Sequence, residues 1–131
     1  SGVAELTAFR QLFKRGFVDY KERLARGPAL RFGDRLRDAM DKTARTIPDR
    51  KARKVAGRIA KHLSVGHDGL TRPWMARSGE SVSLNAEHYR FERLRKAAEN
   101  GTDVSRMVLA AAAAEMMAGE ELLDFLSALA E

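Results

Sequence analysis

The 131-residue chain has no cysteine, only three prolines, a single tryptophan and no long hydrophobic run. Without cysteine there can be no disulfide, thiolate metal site or cysteine nucleophile. The fold therefore needs no oxidising compartment, and a cytoplasmic location is expected. No apolar stretch approaches the ~18 residues of a membrane-spanning helix, and the run from Ala110 to Ala114 is too short and too weakly hydrophobic to count, so no membrane partner is expected. The N-terminus lacks the succession of basic region, apolar region and small-residue cleavage site that marks a secretory leader. His62, His67, Asp68 and His88 do not form a zinc-ligand spacing, so no metal is expected. No Ser/His/Asp arrangement, Gly-rich phosphate loop or carboxylate pair occurs either, which argues against an enzyme, a catalytic residue or a cofactor. The length suits one modest core, with at most an appended unit.

What is present is charge, unevenly placed. The net charge is +6 and the sequence pI about 10.1. Residues 1–79 carry 19 Lys/Arg against 8 Asp/Glu, a balance of +11; residues 80–131 carry 5 against 10, a balance of −5. A basic block followed by an acidic one favours a polyanion partner for the first part. It also suits head-to-tail self-association or the docking of an acidic protein.

Apolar spacing organises the basic block into helices. Leu6, Phe9, Phe13, Phe17, Tyr20 and Leu24 recur at steps of three and four up to Gly27-Pro28. A second helical segment carries Leu30, Leu36, Met40 and Ile47 as its apolar positions, and Ile47-Pro48-Asp49 breaks it. Pro48 suits the first turn of a third helix, whose core face would be Ala52, Val55, Ile59 and Leu63. The other faces of that helix are almost wholly cationic. Arg50, Lys54, Arg58 and Lys61 share one side at steps of four, four and three, with no acid between the first and the last. Such a stripe can track phosphates. Residues 64–79 then turn to Gly, Pro and Ser, which predicts a loop, and Trp74 there could stack on a base or plug a core.

Ser81-Val82-Ser83-Leu84-Asn85 alternates polar and apolar with the period of a half-buried strand. Residues 86–99 change to helical spacing, with Phe91, Leu94 and Ala97/Ala98 on one face. Asn100-Gly101 makes a turn, and Thr102-Asp103-Val104-Ser105 opens another helix. Gly119 allows a break before a last amphipathic helix through Leu122, Leu123, Phe125, Leu126 and Leu129. Strand, helix, Gly turn and helix across residues 80–114 resembles the ribbon-helix-helix DNA-binding family. That resemblance implies a dimer in which two chains each give one strand to a ribbon in the DNA major groove. It implies Ser81, Ser83 and Asn85 as outward base readers, Val82 and Leu84 as core, and Ser105 as a phosphate contact at a helix start. Val104, Met107 and Val108 would close the dimer core. A second pattern, Ile59-Ala60-Lys61-His62-Leu63-Ser64-Val65 followed by Leu70-Thr71-Arg72, is similar to bacterial helix-turn-helix repressors; Gly66, Gly69 and Pro73 oppose its second helix.

The expected fold is mainly α: a basic helical region, 1–79, followed by a strand-helix-helix unit with a C-terminal helix, 80–131, the strand paired only in a dimer. The alternative is an all-α bundle in which residues 80–85 form a loop. The expected function is a bacterial DNA-binding protein acting as a homodimer, a transcriptional repressor or a plasmid maintenance or conjugation accessory factor. Its sites would be Ser81, Ser83, Asn85, Ser105, Arg50, Lys54, Arg58 and Lys61. The competing class is a helical adaptor or secretion-related interaction module with a basic docking face.

Overall fold

The computed structural model describes residues 27–131, and the helix expected over Leu6 to Leu24 lies outside the described residues. The described chain starts in helix α1, residues 27–45, with Gly27 and Pro28 in its first turn. Its core stripe is Ala29, Phe32, Leu36, Met40 and Ala44, continued by Ile47. Leu30, expected inside, lies about one-third of a turn off that stripe and is 51% exposed. After the expected break, Asp49 caps helix α2 (Arg50–His62), its carboxylate accepting from the Ala52 N–H at 2.8 Å. Pro48 thus precedes the cap instead of occupying the first turn. Ala52, Ala56, Ile59 and Ala60 are buried, whereas Val55 is only half-buried.

The region expected to be a loop contains two strands. Strand β1 (Leu63–Gly66) leaves α2 directly, and β2 (Met75–Ser78) is joined to β3 (Ser81–Asn85) by a two-residue turn. Gly79 takes φ +61° there, the conformation that a hairpin turn with glycine first requires. The sheet order is β1-β3-β2, with β1 parallel and β2 antiparallel to β3. Strand β3 is therefore central and paired on both edges within the chain, which corrects the expectation that it pairs only in a dimer. The β2–β3 hairpin also crosses the expected boundary at residues 79 and 80. In register, Leu63 faces Val82, while Val65 and Met75 flank Leu84. These side chains share one face, against the helices, and all but half-buried Val65 are buried. Ser64, Ser83 and Ala76 occupy the opposite face, so the described residues cover the sheet on one side only.

Helix α1 closes on the sheet through Gly33, where a Cβ would stand 2.8 Å from Val65 Cγ2. Arg37 Nη1 donates to the Leu63 carbonyl at 2.9 Å, occupying an acceptor of β1. Helix α3 (Tyr89–Glu99) buries Phe91 and Leu94, and Phe91 meets Phe32 edge to face at 5.5 Å. Its end follows the Schellman pattern: Thr102 N–H donates to Ala97 O, Gly101 N–H to Ala98 O, and Gly101 takes φ +89°. Helix α4 (Ser105–Met116) runs through the core on Val108, Leu109, Ala112 and Ala113, and packs against both α2 and α5 (Gly119–Ala130), the two alanines keeping its surface low. In α5, Phe125 and Leu129 are buried and Leu123 is exposed. No described helix is long and apolar enough to cross a membrane.

Candidate nucleic-acid interface

The buried stripe of α2 fixes where its charges point. At 100° per residue, Ala52, Ala56, Ile59 and Ala60 centre on the core, so Arg50, Lys54, Gly57 and Lys61 centre on the opposite side, with Arg53 and Arg58 beside them. All five of these cations are exposed. Lys54, Gly57, Arg58 and Lys61 line a shallow surface concavity of about 530 Å³.

Two comparisons within the molecule set this face apart. The flanking helices α1 and α3 pair some of their cations: Arg37 with Asp34, Arg45 with Asp41 at 2.7 Å, and Arg95 with both Glu92 and Glu99. The Arg95 hydrogen bond draws the Glu92 carboxyl below its ordinary value, while Glu92 holds the Arg95 guanidinium above its own. Among the described residues no ion pair engages an α2 cation; Arg53 reaches only the Ile47 carbonyl, at 3.3 Å. The second comparison concerns the helix dipole. Helix α5 opens with Glu120 and Glu121, the favourable arrangement, whereas α2 has no acid in its first turn and opens with Arg50, Lys51 and Arg53. Cations at a helix N-terminus oppose the macrodipole by roughly 0.3–1 kcal/mol each when exposed. The Asp49 carboxylate at the cap offsets part of this cost, and no ion pair among the described residues offsets the rest.

The residues expected on the strand and at the α4 start behave differently. Ser81 and Ser83 are half-buried on the open face of the sheet, turned away from Val82 and Leu84 as expected. Asn85 is not outward: it is 1% exposed. Its Oδ1 accepts from the Asp68 and Glu87 N–H groups, and its Nδ2 donates to the Gly69 carbonyl at 2.7 Å and the Arg72 carbonyl at 3.3 Å. Asn85 pins the 67–74 loop over the end of the sheet. Ser105 is also 1% exposed, its Oγ sharing hydrogen bonds of 2.6 Å with Thr43 Oγ1 and Asp103 Oδ1. No phosphate can reach that hydroxyl. Together with the in-chain pairing of β3, these two burials remove the ribbon geometry, because both edges of the strand are occupied and two of its four expected contacts are internal. The helix-turn-helix pattern fails as well: its expected turn is β1, and residues 67–74 contain no helix.

Two other concavities carry different chemistry. One of about 380 Å³ between α2 and α5 has an apolar floor of Val55, Met117 and Phe125 and is rimmed by Asp49, Glu121, Asp124 and Glu131. The other, about 540 Å³, places half-buried Trp74 beside Leu94, Val104 and Met107, with Arg90 and Arg93 at its edge. Trp74 thus packs against apolar neighbours. Among the described residues no group of three acidic or histidine side chains could hold a metal ion. Sequence reading passed over Gly57, although a lone glycine amid a lysine and arginine stripe was visible.

In comparison with known proteins, no family model, curated protein or solved structure matches the chain.

Proposed function

We propose that the protein is a non-enzymatic, duplex-DNA-binding protein that uses α2 to hold the phosphate backbone with little dependence on base sequence. The observation that carries this reading is the face formed by Arg50, Lys54, Arg58 and Lys61, exposed and without an ion-pair partner among the described residues. Eleven residues of helical rise separate Arg50 from Lys61, roughly 16 Å, or the axial rise of about five base pairs. A rigid helix of that length presents its cations at fixed spacing, so the ordering entropy of a flexible basic tail is avoided. Base-specific contacts are not part of this reading, since Asn85 and Ser105 are internal. Fluorescence anisotropy of a labelled random-sequence duplex tests it. Binding that Lys54→Glu weakens about eightfold or more at 0.1 M salt while the fold is retained is expected; undiminished binding by that variant would refute the assignment to α2.

A further inference from the structure

The glycine at the centre of the cationic face is the feature that stability explains least. Gly33 and Gly57 lie in the interiors of the first two helices, and they have opposite environments. Gly33 is buried against β1, where a Cβ would meet Val65 Cγ2 at 2.8 Å, so packing inside the molecule requires it. Gly57 is different: apart from its chain neighbours and the adjoining backbone of its own helix, no atom of the described residues lies within 4 Å of the place its Cβ would occupy. Its φ is ordinary for a helix, so no backbone conformation demands glycine either. A glycine in a helix interior nevertheless weakens the helix relative to alanine. Nothing described inside the protein compensates, and what lies outside is the floor of the concavity ringed by Lys54, Arg58 and Lys61.

Resting on the DNA-binding reading above, we infer that Lys54, Gly57, Arg58 and Lys61 form a seat for one phosphodiester group, with Gly57 letting it settle against the helix backbone. Lys54 and Lys61 lie about one turn before and one turn after Gly57, roughly 40–60° around the helix from it, and Arg58 lines the same concavity. Each donates to a non-bridging phosphate oxygen. The missing side chain allows the phosphate to approach by the length of a Cβ bond, so that three flexible cations converge on it together. A carboxylate-bearing protein would have no comparable need for that approach, because a side-chain carboxylate at the end of a chain can enter over a methyl group. The seat therefore distinguishes a nucleic-acid backbone from an acidic polypeptide.

The test compares Gly57→Ala, Gly57→Leu and Lys54→Glu in the full chain, measuring thermal unfolding and the affinity for a random-sequence duplex at 0.1 M salt. Both Gly57 substitutions face open space and replace glycine by strong helix formers, so the melting temperature should rise by about 4 °C. Loss of one phosphate contact weakens binding about eightfold at 0.1 M salt and makes the log–log salt slope shallower by about 0.9. Gly57→Leu should show that full effect and Gly57→Ala a part of it, so each variant becomes more stable and binds less well. Gly57→Leu with a raised melting temperature and wild-type affinity, while Lys54→Glu is impaired, would overturn the seat and leave the DNA-binding reading intact. Wild-type affinity in Lys54→Glu would overturn both. Polyglutamate competing as well as duplex per unit charge would also overturn the phosphodiester assignment.

Discussion

Replacing Asn85 by alanine separates a structural from a DNA-reading role for the strand. The side chain makes four hydrogen bonds, two accepted by Oδ1 from the Asp68 and Glu87 N–H groups and two donated by Nδ2 to the Gly69 and Arg72 carbonyls. At about 1 kcal/mol net for each bond, the upper bound is near 4 kcal/mol. Asp68 and Arg72 are exposed, so water can recover part of what is lost once the loop loosens; the expected cost is about 2–3 kcal/mol. Against a typical domain stability of 5–15 kcal/mol, such a loss leaves the protein folded at 25 °C. Urea denaturation followed by tryptophan fluorescence measures it, since Trp74 adjoins the loop, and limited proteolysis should show earlier cleavage within residues 67–74. Asn85→Asp adds a sign. The acid would face the Gly69 and Arg72 carbonyls where the amide now donates, raising its folded pKa above the unfolded value. Its protonated form is then favoured by folding, so stability is present below the unfolded pKa, near 3.9, and falls as pH rises through the folded value. If Asn85→Ala unfolds within 0.5 kcal/mol of the wild type while its DNA affinity collapses, the loop-pin reasoning is refuted.

Other expectations follow from the same packing. Gly33→Ala should destabilise the protein by about 1–3 kcal/mol in urea, opposite to the usual gain at a helical glycine, because the new methyl overlaps Val65 Cγ2; a stabilised variant would contradict the close approach of α1 to β1. Ser105→Ala should cost about 1–2 kcal/mol through the lost Thr43 and Asp103 bonds yet leave duplex affinity unchanged. Weaker DNA binding by a fully stable Ser105→Ala protein would restore its phosphate role. The Asp103 carboxyl lies below its ordinary value of 3.8, chiefly because the Ser105 hydroxyl donates to it, then because the Ser105 N–H does, with Arg106 assisting. Its folded pKa is depressed, so its contribution to stability is present above the unfolded pKa and is lost as pH falls through the folded value. Stability measured from pH 6 down to pH 2 should thus fall less steeply in Asp103→Asn than in the wild type.

The sequence was most legible where burial has a regular period. Val82 and Leu84 alternate with Ser81 and Ser83, and that alone locates β3. Capping and turn chemistry likewise marked the Ile47-Pro48-Asp49 break and the Asn100-Gly101 turn. Strands β1 and β2 left no such trace: each is four residues long, one emerging from a helix and the other following Gly69 and Pro73, and pairing with β3 is what makes them strands. Asn85 and Ser105 were misplaced for a related reason. Both are polar residues beside turns, where exposure is the ordinary expectation, and a folded-over loop and the Thr43 hydroxyl bury them. Of the proposed DNA site, the cationic face could be read from spacing because it depends on one helix alone. The empty space at Gly57 needed the three-dimensional packing.

The salt dependence of duplex binding tests the central claim most directly. With Lys54, Arg58 and Lys61 sharing one phosphate and Arg50 holding a second, about two phosphates are neutralised and the log–log slope is near −1.8, an affinity loss of about 12-fold between 50 and 200 mM salt. Lys54→Gln, Arg58→Gln and Lys61→Gln combined should bring the slope to about −0.9 without unfolding the protein. No binding by the wild type at 50 mM salt, or an unchanged slope in the folded triple variant, would contradict the assignment of DNA binding to α2.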